Sequence, residues 1–335
     1  MTSNRTALVI GATGGIGGEV ARTLAARGWT VRGLARDIEA ARGRWRGPAI
    51  AWVKGDAMNA DDVIAAAAGA AVIVHGANPP GYRNWAGLAM PMLASTIAAA
   101  RASGARIVFP GTVYNYGPDA LPLVTETAPQ NPLTRKGRIR VQMEEALRAA
   151  SLDSVKVLIV RAGDFFGPSV GNSWFGQGIV KPGKPVTAIT YPGTPDIGHA
   201  FAYLPDLAET FVRLIERADE LPDFAPFHFR GHYFPRGIGI AETVREVIGK
   251  PEMRIGRFPW WLIVAASPFV EMFRELLEMR YLWRERLELG NGKLVAFLGA
   301  EPHTPTPVAI RATLEGLGCL PKAVAETPEG AVLTR

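Results

Sequence analysis

The sequence predicts an α/β fold, a doubly wound parallel sheet with a smaller C-terminal lobe. Three observations lead there. Through the first half, short apolar runs alternate with helical patterns, as in strands joined by crossover helices. The first of these runs ends in a turn of regularly spaced glycines. After Arg161 the alternation gives way to a stretch rich in Gly, Pro and aromatic residues.

In order, residues 6–10 read as a buried strand and 15–27 as the helix that follows. Residues 30–34 and 50–54 are the second and third strands, 61–68 a short helix and 71–75 another apolar strand. An Ala-rich helix covers 88–103, a strand opens at 107–109, 143–150 belongs to a helix, and 155–160 is again a strand. Such uninterrupted apolar strands suit a sheet buried on both faces. Residues 163–198 are expected to be irregular and 204–217 helical. A last strand is expected at 227–229. Residues 259–289 read as helical and aromatic, with Trp260, Trp261, Phe269, Phe273, Tyr281 and Trp283. Residues 327–335 read as a disordered tail. The chain shows no internal repeat and no low-complexity linker.

Composition narrows the class. Of 335 residues, 48% are hydrophobic and 20% charged, the profile of an ordinary globular protein. Cys319 is the single cysteine, which excludes a disulfide framework and a cysteine metal site and fits a reducing, cytoplasmic setting. No secretory leader pattern opens the sequence. The apolar run 260–266 is far short of the ~20 residues that span a bilayer, so no integral membrane segment is expected. The net charge of +6 comes from scattered Lys and Arg with no nucleic-acid motif, so no nucleic-acid partner is expected. His199 and the other histidines lack metal-ligand spacing, so no metal is expected.

The strongest signal is Val9-Ile10-Gly11-Ala12-Thr13-Gly14-Gly15-Ile16-Gly17. Gly11 permits the tight turn, Gly14 lets backbone approach a pyrophosphate, and Gly17 lets the helix pack on the strand. Thr13, Gly15 and Ile16 belong to the same cradle, and the helix N-terminus offers unpaired N–H groups to the phosphates. The fold is therefore read as Rossmann-type. Its dinucleotide-binding domain is assigned to residues 1–163, completed by about 200–232. Residues 164–199 and 233–326 are assigned to a substrate-binding lobe.

The GxxGxxG spacing resembles that of the short-chain dehydrogenase/reductase superfamily, in its extended and atypical, epimerase/dehydratase-like branch. The resemblance runs to about Asp206, roughly two thirds of the chain. It implies NAD or NADP as cofactor. NAD-using relatives end the second strand with an acidic residue, whereas here Ala35 holds that place and Arg36 follows. Arg36 suits the 2′-phosphate, so NADP is expected, with NAD kept open by Asp37. The resemblance also implies that Asp56 meets the adenine amine. Ala57 and Ala77 join the cofactor site.

It further implies an active site of Ser/Thr, Tyr and Lys. The segment 109–117, ending Val113-Tyr114-Asn115-Tyr116-Gly117, looks like the family strand that carries the hydroxyl, and Thr112 falls on that position. Residues 132–144 look like the helix start Tyr-x-x-x-Lys-x-x-x-Glu. Anchored on Glu144, Lys136 stands where Tyr belongs and Arg140 where Lys belongs, so the usual tyrosine is missing. The asparagine often found in the preceding helix is also absent, with Ala89 nearest its place. The pattern is similar to the isoflavone-reductase-like branch, which implies that Lys136, beside Arg138 or Arg140, moves the proton or else contacts the cofactor ribose. Substrate contacts are expected from Pro79, Tyr82, Tyr114, Asp164, Phe165 and Trp174.

The first expectation is NADPH-linked reduction of a small, fairly apolar carbonyl or alkene by a monomer or homodimer. A non-catalytic NADP-binding sensor is the alternative, favoured by the missing tyrosine. A nucleotide-sugar epimerase or dehydratase is the third, disfavoured by Asp164 where such enzymes carry Asn.

Overall fold

A computed structural model describes residues 5–79, 84–171 and 173–320. The expected tail at 327–335 and the expected substrate contact Tyr82 lie outside the described residues.

The first half runs β1 (Thr6–Ile10), α1 (Gly15–Ala26), β2 (Thr30–Ala35), α2 (Ile38–Arg44), β3 (Ala51–Lys54), α3 (Ala60–Ala67), β4 (Val72–His75), α4 (Trp85–Ser103), β5 (Arg106–Thr112) and β6 (Leu123–Val124). It continues through α5 (Arg135–Ser151), β7 (Val157–Ala162), β8 (Asp164–Phe166), β9 (Ile189–Tyr191), β10 (His199–Tyr203), α6 (Leu204–Glu216), β11 (Phe224–His228) and β12 (His232–Phe234). The remainder is α7 (Gly239–Val247), β13 (Ile255–Arg257), α8 (Trp260–Ala266), α9 (Glu271–Glu278), β14 (Glu288–Leu289), α10 (Gly292–Leu298) and α11 (Thr306–Gly316).

Seven strands form one parallel sheet in the order β11-β7-β5-β4-β1-β2-β3, the doubly wound arrangement the alternation predicts. Successive residues of a strand face opposite sides. Leu8, Ile10, Ile73 and Ile107 pack with residues of α3, α4 and α5. Ala7, Val9, Val72 and Val108 pack with residues of α1 and α6. The chain order reverses between β1 and β4, so a crevice opens at the carboxyl ends of these strands, where such sheets bind ligands.

Arg106, at the start of β5, is buried. It donates to the carbonyls of Pro222 (2.9 Å), Ala218 (3.1 Å) and Leu221 (3.3 Å), fastening the turn before β11 to the sheet.

Four elements differ from expectation. Helix α2 follows β2 directly, started by Asp37, whose carboxylate accepts the amide of Ala40 at 2.9 Å. The last strand of the seven-stranded sheet is β11, which starts three residues earlier than read, because Pro226 argues against a strand, and β12, β13 and β14 follow it in smaller sheets. β11 lies on the sheet edge, where a missing N–H is tolerated. The segment 259–289 is not one helix. Pro268 separates α8 from α9, since proline lacks the donor a helix interior needs, and a 3-10 turn (Met279–Trp283) leads to β14. The irregular stretch 163–198 holds β8 and β9, which pair in parallel with β10 and β13.

Candidate active site

The glycine turn is built as its spacing demands. Gly11 has φ +87°, and a Cβ there would lie 2.7 Å from the Gly76 carbonyl. A Cβ on Gly17 would lie 2.4 Å from the Gly11 carbonyl oxygen, so α1 rests on the turn. Gly14 is different. Its nearest obstacle is the Gly11 oxygen at 3.3 Å, and it caps α1 with extended backbone. The protein leaves that side open, and Thr13 and Gly14 are exposed. The first-turn amides of Gly15, Ile16 and Gly17 precede the first intrahelical partners and suit a diphosphate. These residues fit a dinucleotide.

Beside the turn lies a cavity of about 150 Å³ at the sheet's crevice. Ile16, Gly76 and Ala77 form its edge, and Thr112, Tyr114 and Arg140 reach it from β5, the turn after it and α5. The Arg140 guanidinium donates to Asn78 Oδ1 at 3.0 Å and lies 5.2 Å from the Trp85 ring and 5.4 Å from Phe109. His75 also lines the cavity. Burial, and then the Arg140 charge, push its pKa down to about 3. Its Nδ1 lies 2.7 Å from Thr96 Oγ1, whose proton goes to the Met92 carbonyl, so Nδ1 carries the hydrogen and Nε2 is an acceptor.

Lys136 is not among the residues lining this cavity. It is buried, and its ammonium pairs with Glu275 Oε2 of α9 at 3.1 Å. Burial lowers its pKa, and the Glu275 hydrogen bond opposes that shift. Glu278, one turn on, accepts the Arg135 amide at 2.9 Å. Two acidic residues of α9 thus tie down the start of α5, where Thr134 caps the helix through the Gly137 amide at 2.9 Å.

Across the cavity, Asp164, Phe165 and Trp174 line the wall. Asp164 Oδ2 lies 2.7 Å from Nε2 of the buried His199, whose ring stacks on Trp283 at 4.2 Å and 13°. Trp174 packs against Phe258, Trp260 and Trp283. The sequence offered no signal for His199 as the partner of Asp164, because the two meet only through the pairing of β8 with β10.

Beneath Thr112 runs a partly buried polar chain that sequence reasoning missed apart from Glu144. Thr112 Oγ1 donates to Asn115 (3.0 Å), Asn115 to Gln130 (3.1 Å), and Gln130 to Glu144 (3.1 Å). Glu144 accepts from Arg161, whose guanidinium also reaches His228 Nε2 at 3.2 Å. Tyr116 donates to the same nitrogen at 3.0 Å, while His228 Nδ1 donates to the Val124 carbonyl at 3.2 Å. His228 is therefore neutral, and burial with the Arg161 charge takes its pKa down to about 3. Tyr116, raised by burial, stays a phenol.

Arg36 is exposed at the end of β2, while the Asp37 carboxylate is occupied in capping α2. Asp56 accepts the Met58 amide at 3.0 Å, and Ala57, half-buried, packs against the core beside β3. Pro79 is buried and does not line the cavity.

Residues 7–227 match the profile of the family described as NAD dependent epimerase/dehydratase family. No curated protein sequence matches the chain. Among solved structures, UDP-glucose 4-epimerase from Brucella ovis in complex with NAD aligns over 94% of this chain and 98% of its own, at 16% identity and TM-score 0.73. UDP-N-acetylglucosamine 4-epimerase from Bacillus cereus aligns over 96% and 98%, at 14% identity and TM-score 0.68. UDP-glucose 4-epimerase from Bifidobacterium longum, in complex with NAD+ and UDP, aligns over 94% and 97%, at 15% identity and TM-score 0.67. At these identities the likeness is one of fold. Among the described residues, no helix is long and apolar enough to cross a membrane.

Proposed function

The chain belongs to the NAD dependent epimerase/dehydratase family, and on that premise we propose that it is an NAD(P)-dependent enzyme exchanging a hydride with a carbinol or carbonyl carbon of a small molecule. One observation carries this reading. The Thr112 hydroxyl, the Arg140 guanidinium and the Asp164 carboxylate line one cavity at the edge of the glycine turn. The bound nicotinamide supplies or accepts the hydride. Arg140 stands where the family's ribose-binding lysine would and serves as a permanent cation there. Thr112 directs its proton to Asn115, which leaves its lone pairs for a substrate hydroxyl. Asp164, with His199 behind it, takes the proton that a phenol takes elsewhere. Lys136 serves the site from outside, by holding α9 in place.

NADP is favoured over NAD because Arg36 is exposed and Asp37 is engaged in its cap. Two substrate classes fit, and they differ in the direction of the first step: a nucleotide sugar would give its hydride to the oxidised cofactor and its proton to Asp164, whereas a carbonyl or activated alkene would take a hydride from the reduced cofactor and a proton from the protonated Asp164. A nucleotide sugar accords with the family and with the neighbours crystallised with UDP or NAD. A small apolar carbonyl or alkene accords with the aromatic wall and with Asp164, whose carboxylate repels a diphosphate.

The test is turnover of NADPH and NADP+, and of NAD+, with UDP-sugars, aldehydes, ketones and enones, in the parent protein and in Asp164→Asn. Turnover with one class, reduced by about 10²–10⁴ in the variant, supports the reading. Cofactor binding without turnover of any of them supports a sensor. Full turnover in Asp164→Asn removes the proton role.

A further inference from the structure

Three elements distant in sequence bring Asp206, His232 and His303 together. Their oxygen and nitrogen donors all lie within 4.8 Å of one another. Asp206 sits in the first turn of α6, His232 opens β12, and His303 precedes α11. None lines the cavity described above. The backbone around them is stitched at every step. Glu301 accepts the amides of Arg230 (2.9 Å) and Gly231 (2.8 Å), the two residues before His232. The Thr304 amide and hydroxyl both donate to Asp206 at 2.7 Å. Thr306 Oγ1 lies 3.1 Å from His232 Nδ1.

One ring nitrogen in this arrangement makes no hydrogen bond among the described residues. His232 is 3% exposed, and its Nε2 is buried with no hydrogen bond among the described residues. Asp206 Oδ2, at 3.7 Å, is too far to satisfy it. A buried imidazole nitrogen left unmatched costs free energy, and this one faces the carboxylate and the second histidine, whose ring centroid is 4.3 Å from its own. The neighbouring cation, Arg230, is paired with Glu288 at 2.9 Å.

We propose that Asp206, His232 and His303 bind a divalent cation of the zinc class, which clips the segment before α11 to the start of α6 and to β12. Two imidazole nitrogens and one carboxylate oxygen are a donor set that zinc, cobalt and nickel accept, and magnesium and calcium avoid. Thr306 holds the His232 ring by its other nitrogen, as second partners of ligating histidines do. Tetrahedral ligands at ~2.0–2.1 Å stand about 3.3 Å apart, so His232 and Asp206, at 3.7 Å, must close by about 0.4 Å and the other pairs by at most about 1.5 Å. Rotation of the exposed His303 ring supplies most of that movement. Exposure of His303 also leaves the remaining coordination position to water.

The experiment uses the full chain after chelator treatment, titrated with Co2+ or Zn2+ alone. The expected result is one equivalent bound, with cobalt bands typical of nitrogen and oxygen ligation and a rise in melting temperature that chelator reverses. His303→Ala, at an exposed position, should fold normally and bind at least about a hundredfold more weakly. Thr306→Val should weaken binding by about 10–100-fold, the usual effect of losing a ligand's support. Absence of saturable uptake by the parent protein overturns the proposal. So does uptake of equal affinity in His303→Ala. Neither result depends on turnover, so failure here is distinct from failure of the hydride-transfer reading.

Discussion

Alanine at Gly14 and at Gly17 should produce opposite phenotypes, although the two glycines stand three residues apart in one turn. At Gly17 the new Cβ would sit 2.4 Å from the Gly11 oxygen and 3.0 Å from its carbonyl carbon, both backbone atoms that cannot rotate away. The helix must lift off the turn. Overpacking of this kind costs typically about 1–3 kcal/mol, and at roughly 2–4 °C per kcal/mol the melting temperature should fall by several degrees. At Gly14 the nearest protein atom is 3.3 Å away and the backbone, at φ −89° and ψ 175°, suits any residue. Stability should change by less than about 1 kcal/mol, the scale of a poorer helix cap. The added methyl instead occupies the side left open for a diphosphate. Cofactor affinity should fall by about tenfold or more, equivalent to about 1.4 kcal/mol. Thermal melts without cofactor and titration with NADPH and NADH separate the two effects. Unchanged affinity in Gly14→Ala would place the dinucleotide elsewhere, and an unaltered melt in Gly17→Ala would refute the packing argument.

Three further outcomes follow from the site. Arg36→Ala should weaken NADP by about 1.5–3 kcal/mol, the value of a charged hydrogen bond, and leave NAD nearly unchanged; competition binding decides, and equal loss for both cofactors counts against a 2′-phosphate contact. His228, neutral in the fold with a pKa of about 3 against 6.5 when unfolded, contributes stability that is full above pH 6.5 and lost as pH falls toward 3. Each pH unit in that window costs about 1.4 kcal/mol, so His228→Gln should flatten the acid limb of urea melts, and an unchanged slope would exclude it. Glu275→Gln leaves the Lys136 ammonium buried without its carboxylate and should cost up to about 3 kcal/mol at pH 7. Because burial holds the Lys136 pKa below 10.5, the unfolded chain keeps a proton the folded chain releases, so stability should recover as pH rises. An equal loss at pH 7 and pH 9.5 would contradict that.

The sheet was legible because its signals are local. Runs such as Ala7 to Ile10 and Val157 to Val160 are buried on both faces, and the packing of Gly17 on the Gly11 carbonyl lies within seven residues, although Gly11 also closes against Gly76. What was not legible depends on residues meeting across the chain. Glu275 reaches Lys136 from α9, and His199 reaches Asp164 through β10. Asn115, Gln130, Arg161 and His228 form a chain no spacing rule connects. Aromatic density in 259–289 suggested one helix, whereas Pro268 and packing of Trp283 on His199 divide it. Arg36 and Asp37 show the reverse: adjacent in sequence, they part company because one starts a helix and the other is left to solvent.

The guanidinium of Arg106 has a consequence for how the chain is made. Its shortest hydrogen bond is to the carbonyl of Pro222, 116 residues downstream, while the Val157 carbonyl, 51 residues downstream, is at 3.4 Å. At a synthesis rate of about 5–20 residues per second, the ribosome takes roughly 6–23 s to deliver Pro222. Through that interval a cation destined for burial has no native acceptor from the turn before β11, and the nascent sheet lacks its last strand. A chain cut near residue 163 is held in the same state permanently. Final closure of the sheet therefore waits for β11, a strand encoded after much of the cavity's far wall.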